Sequence, residues 1–409
     1  LDGITIRTFT PDTTLLFVTR IARMFAYGFL SVVLALYLAE LGFDPAQIGL
    51  LFTLALAGDA AISLWLTTSA DRFGRQRTLI VGAALMLFAG IAFALTQNFF
   101  ILAIAAIIGV ISPSGNEIGP FLSVEQAALT QILSDKDRTR IFAWYNLVGS
   151  FATALGALCG GSLVQALQGT GTPALESYRT IVIAYAVMGA ALALLFTRLS
   201  GAIQAPFTEA KPQSRFGLHR SQGVVLKLSA LFALDAFAGG FVIQSLMAYW
   251  FHLRFGVDPG MLGAIFFGAN IFAGISSLAA ARIAAKFGLI NTMVFTHIPS
   301  NILLILVPLM PNLPLAIALL LARFSISQMD VPTRQSYTMA VVAPDERSAA
   351  SGITTIARSV GAALSPSLAG VFLSTPFIAA PFYIAGGLKI VYDLALYRTF
   401  ITMKPPEEA

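Results

Sequence analysis

The chain has 409 residues, 57% of them hydrophobic and 11% charged, with a formal net charge of +5 and a single cysteine. An ordinary soluble domain carries roughly 25% charged residues, so a water-soluble fold of this length could not cover its surface; secreted, cytosolic and disordered classes are excluded. The lone Cys159 excludes an intrachain disulfide or a cysteine-rich metal site, and the positive balance reads as loop charge on a membrane protein rather than a nucleic-acid surface.

At roughly 34 residues per span and connection, the length predicts about twelve membrane helices. Apolar runs of spanning length fall at 14–41, 45–69, 78–97, 99–133, 140–167 and 178–199. A second set falls at 224–252, 259–285, 289–310, 313–342, 351–374 and 377–402. The first run is long enough to span and follows polar residues, which reads as a membrane helix and not a cleaved signal peptide. The longest polar stretch, Gly201 to Gly223, separates the two sets. The expected organisation is therefore an N-terminal six-helix bundle over 1–200, a linker over 201–223 and a C-terminal six-helix bundle over 224–409. One set of connections holds Arg72, Arg75, Arg77, Lys136, Arg138, Arg140, Lys211, Arg215, Arg220, Lys286 and Arg347, the other little beyond Arg179 and Arg254. The basic set is expected on the cytoplasmic side, with the linker and both termini.

The two sets are copies. Arg23 to Phe29 matches Asp235 to Phe241, Gly42 to Pro45 matches Gly256 to Pro259, and Ala70 to Gly74 matches Ala284 to Gly288. Glu125 through Arg138 aligns without gaps on Arg334 through Arg347. Four matches in one order at nearly one offset predict two homologous bundles related by a pseudo-two-fold axis, an all-α polytopic architecture used by secondary transporters.

Charges inside spans cost about 2.5–3.5 kcal/mol each on insertion scales, so those present point to function. They are Arg20, Arg23, Asp59, Glu117, Glu125, Asp235, Arg323, Asp330, Arg334, Arg358, Lys389 and Asp393. At ~1.5 Å rise per residue, Arg23, Glu125, Asp235 and Arg334 fall near the bilayer centre. The repeat equates Arg23 with Asp235 and Glu125 with Arg334, each pair opposite in sign. Asp330 and Arg334, four residues apart, have the favourable order for an intrahelical pair, though Pro332 loosens that turn. Lys389 and Asp393, also four apart, are expected to neutralise each other, and His297 to be a packed helix residue. Span four reads Ser112-Pro-Ser-Gly-Asn-Glu-Ile-Gly-Pro120, an interruption tolerated only where protein or water satisfies the freed backbone. It places Asn116 and Glu117 with Glu125 in a candidate transport site or gating kink.

The loop Ala70-Asp71-Arg72-Phe73-Gly74-Arg75-Gln76-Arg77 resembles the signature loop of the major facilitator superfamily, roughly G-x-L-a-D-R-x-G-R-[KR]. Thr67 stands at the leading Gly, Ser69 at the Leu and Gln76 at one basic position. The resemblance implies alternating access by rocking of the halves, a central cavity lined by spans one, four, seven and ten, and a cytoplasmic gate of Asp71, Arg72, Gly74 and Arg75, with Arg358 as an added partner. Span five carries Gly149, Gly156, Gly160 and Gly161, resembling the glycine-rich fifth helix of drug/proton antiporters, although Cys159 precedes Gly160 where that branch has a Gly-Pro pair. Close packing of small residues between helices explains these glycines equally well.

The expected function is secondary active transport by alternating access, with proton-coupled efflux of a small organic compound first and proton symport importing an anionic solute as the alternative. Arg20 and Arg23 in span one favour the second. The substrate and proton site comprises Arg23, Asn116, Glu117, Glu125, Asp235, Asp330 and Arg334. Arginine does not usefully lose its proton, so the carboxylates carry any coupling. Expected partners are a small molecule, protons and the lipid bilayer of a bacterial inner (cell) membrane, with no nucleic acid, no cofactor, no metal and a monomeric state. Paired metal ligands, a phosphate loop and a nucleophile elbow are missing from the sequence, which argues against an enzyme.

Overall fold

A computed structural model of the chain describes residues 10–133, 135–204 and 218–403. The side chains of Asp71, residues 135–140, Ala143, Pro344 and Ser348 lie outside that description, as does most of the expected linker, 205–217. The described residues form sixteen α-helices. Eight are continuous: α3 (Pro45–Phe73), α4 (Arg75–Leu95), α7 (Asp135–Gly169), α8 (Ala174–Phe196), α11 (Pro259–Phe287), α12 (Leu289–Leu306), α15 (Arg347–Leu373) and α16 (Ala380–Phe400). The others are halves of interrupted spans: α1 (Pro11–Ser31) with α2 (Leu34–Glu40), α5 (Phe99–Ile108) with α6 (Phe121–Ile132), α9 (Gln222–Gly240) with α10 (Gln244–Phe255), and α13 (Leu313–Phe324) with α14 (Asp330–Ala340). The interruptions fall in expected spans one, four, seven and ten, those richest in buried charge.

Length and composition allow eight helical stretches among the described residues to cross a membrane, or nine when α1 and α2, bent by 44°, count as one span. α5 and α13 are short because their spans are broken, and α16 is diluted by Lys389 and Asp393. Large apolar side chains such as Trp65, Phe100, Val187, Leu194 and Phe295 are exposed, as a bilayer requires and water would not tolerate.

The local causes are readable. Thr10 caps α1 by accepting from Thr13 N at 3.2 Å, Asn98 caps α5 and Asn312 caps α13, each satisfying a first-turn donor. Between α5 and α6 the chain runs through Pro113 and Pro120, which have no amide donor, and through Gly119 at φ +80, where a β-carbon would be strained. Gly74 (φ +97) and its repeat mate Gly288 (φ +83) make the turns that start α4 and α12. Pro332 lies in the first turn of α14, where its missing donor has no partner to lose; the expected loosening of the Asp330–Arg334 turn is therefore not realised.

Contacts group the chain into two units. Unit 1 comprises Leu1–Phe43, Leu54–Thr208 and Val257–Phe267; unit 2 comprises Asp44–Thr53, Glu209–Gly256 and Gly268–Ala409. In unit 1, α7 lies so close to α1 that a β-carbon at Gly28 would come 2.0 Å from the Thr153 carbonyl. In unit 2, Gly240 stands in the same relation to Ala362 on α15, at 2.6 Å. Gly156 and Gly160 likewise face the Phe25 and Phe29 carbonyls at 2.1 and 2.2 Å, so these span-five glycines serve helix packing.

Candidate functional site

Unit 1 encloses a cluster of two arginines and two glutamates. Arg23 on α1 is fully buried and forks onto Glu125 of α6, Nη1 to Oε1 at 2.7 Å and Nη2 to Oε2 at 2.6 Å. Its Nε donates to Glu117 Oε1 at 2.8 Å, and Arg20 Nη1 donates to Glu117 Oε2 at 2.5 Å. The Tyr145 hydroxyl on α7 donates to Glu125 Oε2 at 2.5 Å, while its carbonyl accepts from Arg20 Nε at 2.9 Å. Arg23 also lies 4.4 Å over the Phe121 ring. Such fork-on-carboxylate pairing is the geometry in which a buried ion pair can offset its desolvation.

Unit 2 repeats the pair with the signs exchanged. Arg334 Nη1 on α14 lies 3.2 Å from Asp235 Oδ2 on α9 and 2.8 Å from Asp330 Oδ2. Asp235 collects two more cations, Arg358 Nη1 at 3.2 Å and Lys389 Nζ at 2.5 Å. The expected Lys389–Asp393 neutralisation is corrected here. Spacing along α16 brings the two near each other, but Asp235 on α9 is the closer partner for Lys389. Asp393 is held instead by His297 Nδ1 at 2.8 Å and Asn301 Nδ2 at 3.1 Å, both on α12. Arg358, expected at the gate, has its guanidinium on Asp235. Arg323 is nine-tenths buried, and its Nε has no hydrogen-bond partner among the described residues.

Glu117, Glu125 and Arg23 are thus brought together, as are Asp235, Asp330 and Arg334. Asn116 is not: it is exposed, and its hydrogen bonds run through its backbone. Sequence reasoning gave no role to Tyr145, Asn301 or Asp59. Asp59 on α3 accepts from Gly119 N at 2.6 Å and from the Ser63 hydroxyl at 3.0 Å, both at Oδ1. No spacing rule links residues on different helices, so only an unpaired acid in an apolar run marked Asp59.

At the loop expected to form the gate, the Asp71 side chain lies outside the described ones and Arg72 is exposed. Arg75 is buried. Its Nη1 donates to the carbonyls of Ala127 and Ile203 at 3.1 Å each, and its amide to Gln204 Oε1 at 2.8 Å. Gln76 donates to the carbonyls of Phe196, Thr197 and Leu199. Gln76 therefore satisfies carbonyls that the end of α8 leaves open, while Arg75 ties the loop to α6 and to Ile203.

In unit 2 the entry to α9 is held from a distance. Glu346 is fully buried and accepts from the amides of His219 (2.5 Å), Arg220 (2.7 Å) and Ser221 (2.8 Å). Burial pushes its carboxyl up, but the Ser221 hydroxyl and these three amides outweigh it and hold the group at about 2, from an ordinary 4.5.

A helical, multiply spanning protein with ion clusters buried in interrupted spans has the build of a membrane carrier. The sequence profile of the Major Facilitator Superfamily matches residues 16–366 and 237–409, and the chain belongs to that family. It is 31% identical to the uncharacterized membrane protein YJR124C of Saccharomyces cerevisiae, over 95% of this chain and 94% of that one. It is 25% identical to the multidrug efflux protein YfmO of Bacillus subtilis, over 89% of this chain and 86% of the relative. The fold matches the crystal structure of the nucleoside transporter NupG with a TM-score of 0.72 at 15% identity, covering 96% of this chain and 99% of that one. The protein is therefore a secondary transporter of a small molecule in a membrane, not an enzyme.

Proposed function

We propose proton-coupled transport of a small organic anion, with the unit 2 cluster receiving the anion. The observation that carries this reading is the charge balance around Asp235. Arg323, Arg334, Arg358 and Lys389 face Asp235, Asp330 and Asp393, four fixed cations against three carboxylates. An uncompensated cation in a membrane interior is expensive, and a bound carboxylate or phosphate would compensate it. Arg358 is the most accessible of the three cations on Asp235, with 34% of its side chain exposed. An incoming anion that takes Arg358 from Asp235 leaves that acid readier to accept a proton, which couples anion and proton in the same direction.

A second reading is proton-coupled efflux of a small organic compound. It is favoured by the relative whose name describes multidrug efflux. In both readings two six-helix halves, 1–200 and 224–409, joined by the 201–223 linker, alternate access, with Asp71, Arg72, Gly74 and Arg75 as the gate.

The test is transport into proteoliposomes under an imposed proton gradient, with a panel of organic anions and lipophilic cations. Gradient-driven accumulation of an anion is expected, with KM rising at least tenfold, about 1.4 kcal/mol, in Arg323→Met and Arg358→Met. Accumulation of lipophilic cations at wild-type rate by both variants would overturn the anion reading in favour of the second.

A further inference from the structure

We propose that Asp59 is a second proton-binding site of the carrier, in unit 1 and separate from Asp235, an assignment that rests on the proton-coupled reading above. Three observations meet there. First, Asp59 lies in a spanning helix, and no Lys, Arg or His approaches within ion-pair distance of it among the described residues. Both its hydrogen bonds fall on Oδ1, from Gly119 N and Ser63 Oγ, and Oδ2 has no partner among those residues.

Second, the groups that face it cannot neutralise it. Glu117 from the interrupted segment carries the same sign and is held by Arg20 and Arg23. Tyr27 of α1 donates to the Ile118 carbonyl at 3.2 Å, and Tyr185 of α8 to the Val110 carbonyl at 2.8 Å. Both phenols are committed to the backbone of the same segment. With Arg20 and Arg23 against Glu117, Glu125 and Asp59, this group of buried charges in unit 1 has one carboxylate in excess, the reverse of the group around Asp235. Proton binding at Oδ2 removes that excess, and Oδ1 still accepts from Gly119 and Ser63.

Third, the repeat shows that structure alone does not require an acid here. Gly119 and Gln328 are equivalent by the offset of 209 that aligns Glu125 with Arg334. The Gln328 amide donates to the Ser276 hydroxyl of α11 at 3.3 Å. A neutral acceptor on the following repeat's second helix thus does for Gln328 what Asp59 does for Gly119. The position matching Asp59 itself, by the 214 offset of Gly74 and Gly288, is Ala273.

The experiment is a pH-difference infrared titration of the detergent-solubilised full chain, with the proton as the only ligand. A carboxylic acid carbonyl band should grow on acidification, disappear in Asp59→Asn and in Asp59→Ser, and return with a shifted midpoint in Asp59→Glu. Asp59→Asn keeps the Oδ1 acceptor for Gly119, so it separates loss of titration from loss of fold, with Asp59→Ser as a second variant that cannot titrate. The same band persisting in folded Asp59→Asn or Asp59→Ser would overturn the assignment. Proteoliposomes keep the two readings apart. A wild type that no proton gradient drives would sink proton coupling itself, whereas gradient-driven accumulation surviving in Asp59→Asn would sink only Asp59.

Discussion

Position for position, the two repeats keep one skeleton and exchange its charges. Arg23 on Glu125 in unit 1 becomes Asp235 under Arg334 in unit 2. The supporting cations come from different elements. In unit 1 the second arginine, Arg20, rises from α1 into space left by Gly149, where a β-carbon would meet Arg20 Nε at 2.9 Å. In unit 2 the position equivalent to Gly149 is Arg358, and that of Arg20 is Phe232, whose ring lies 5.4 Å from the Arg334 guanidinium. The backbone decides where a charge sits, while its sign and source are exchangeable because opposite ions attract alike in either order.

The strongest test of this comparison is to break the centre of each cluster. Asp235→Asn strands Arg358 and Lys389, while Arg334 keeps Asp330, and should cost about 3–5 kcal/mol, the range for breaking a buried ion pair, read as a lowered Tm in detergent. Arg23→Asp should cost a similar amount, leaving three acids together. Adding Glu125→Arg to it copies the polarity of unit 2 and should recover most of the loss. A double variant no more stable than Arg23→Asp alone would show that sign matters as much as position.

A smaller effect is expected where the interrupted spans are held. Ser276→Ala leaves the Gln328 amide without its acceptor and should cost about 1–3 kcal/mol. Asp59→Asn keeps an acceptor for Gly119 and should lower Tm less. The reverse order would mean that the acid is structural and the hydroxyl dispensable.

The entries to the two repeats also differ. α1 is capped by its own Thr10, an uncharged group, whereas α9 is capped by the remote acid Glu346. A carboxyl held below its unfolded value stabilises the fold fully above about 4.5 and loses that contribution as pH falls towards about 2. Thermal stability should drop across that window, and Glu346→Gln should flatten the drop; an unchanged profile would remove Glu346 from the account. The smallest expected value is a coupling. In a double-mutant cycle, Lys389→Met and Asp393→Asn should interact by less than about 0.5 kcal/mol, because each acts through a different helix. A larger coupling would restore direct pairing along α16.

Much of this was legible in the residues. Apolar runs gave the spans, four offset matches gave the repeat, and the Pro and Gly of 112–120 announced the interruption of span four. The breaks in spans one, seven and ten were not visible, since Val32–Val33, Phe241–Ile243 and Ser325–Met329 contain neither proline nor glycine. Asp330–Arg334 could be read because both residues lie on one helix. Lys389–Asp393 was misread for the same reason, since helical spacing brings two residues near each other without excluding a better partner elsewhere.

The sequence by itself determined that this is a duplicated, multiply spanning carrier with charges of opposite sign at equivalent positions of the two repeats, because hydropathy and repeat offsets are properties of the chain. Only the tertiary structure decided which charge meets which, that three cations share Asp235, and that Asp59 meets the Gly119 amide without a counter-ion among the described residues. Those outcomes depend on which helices lie side by side, and at a separation of a few ångströms in a poorly polarisable interior the nearest partner dominates the energy.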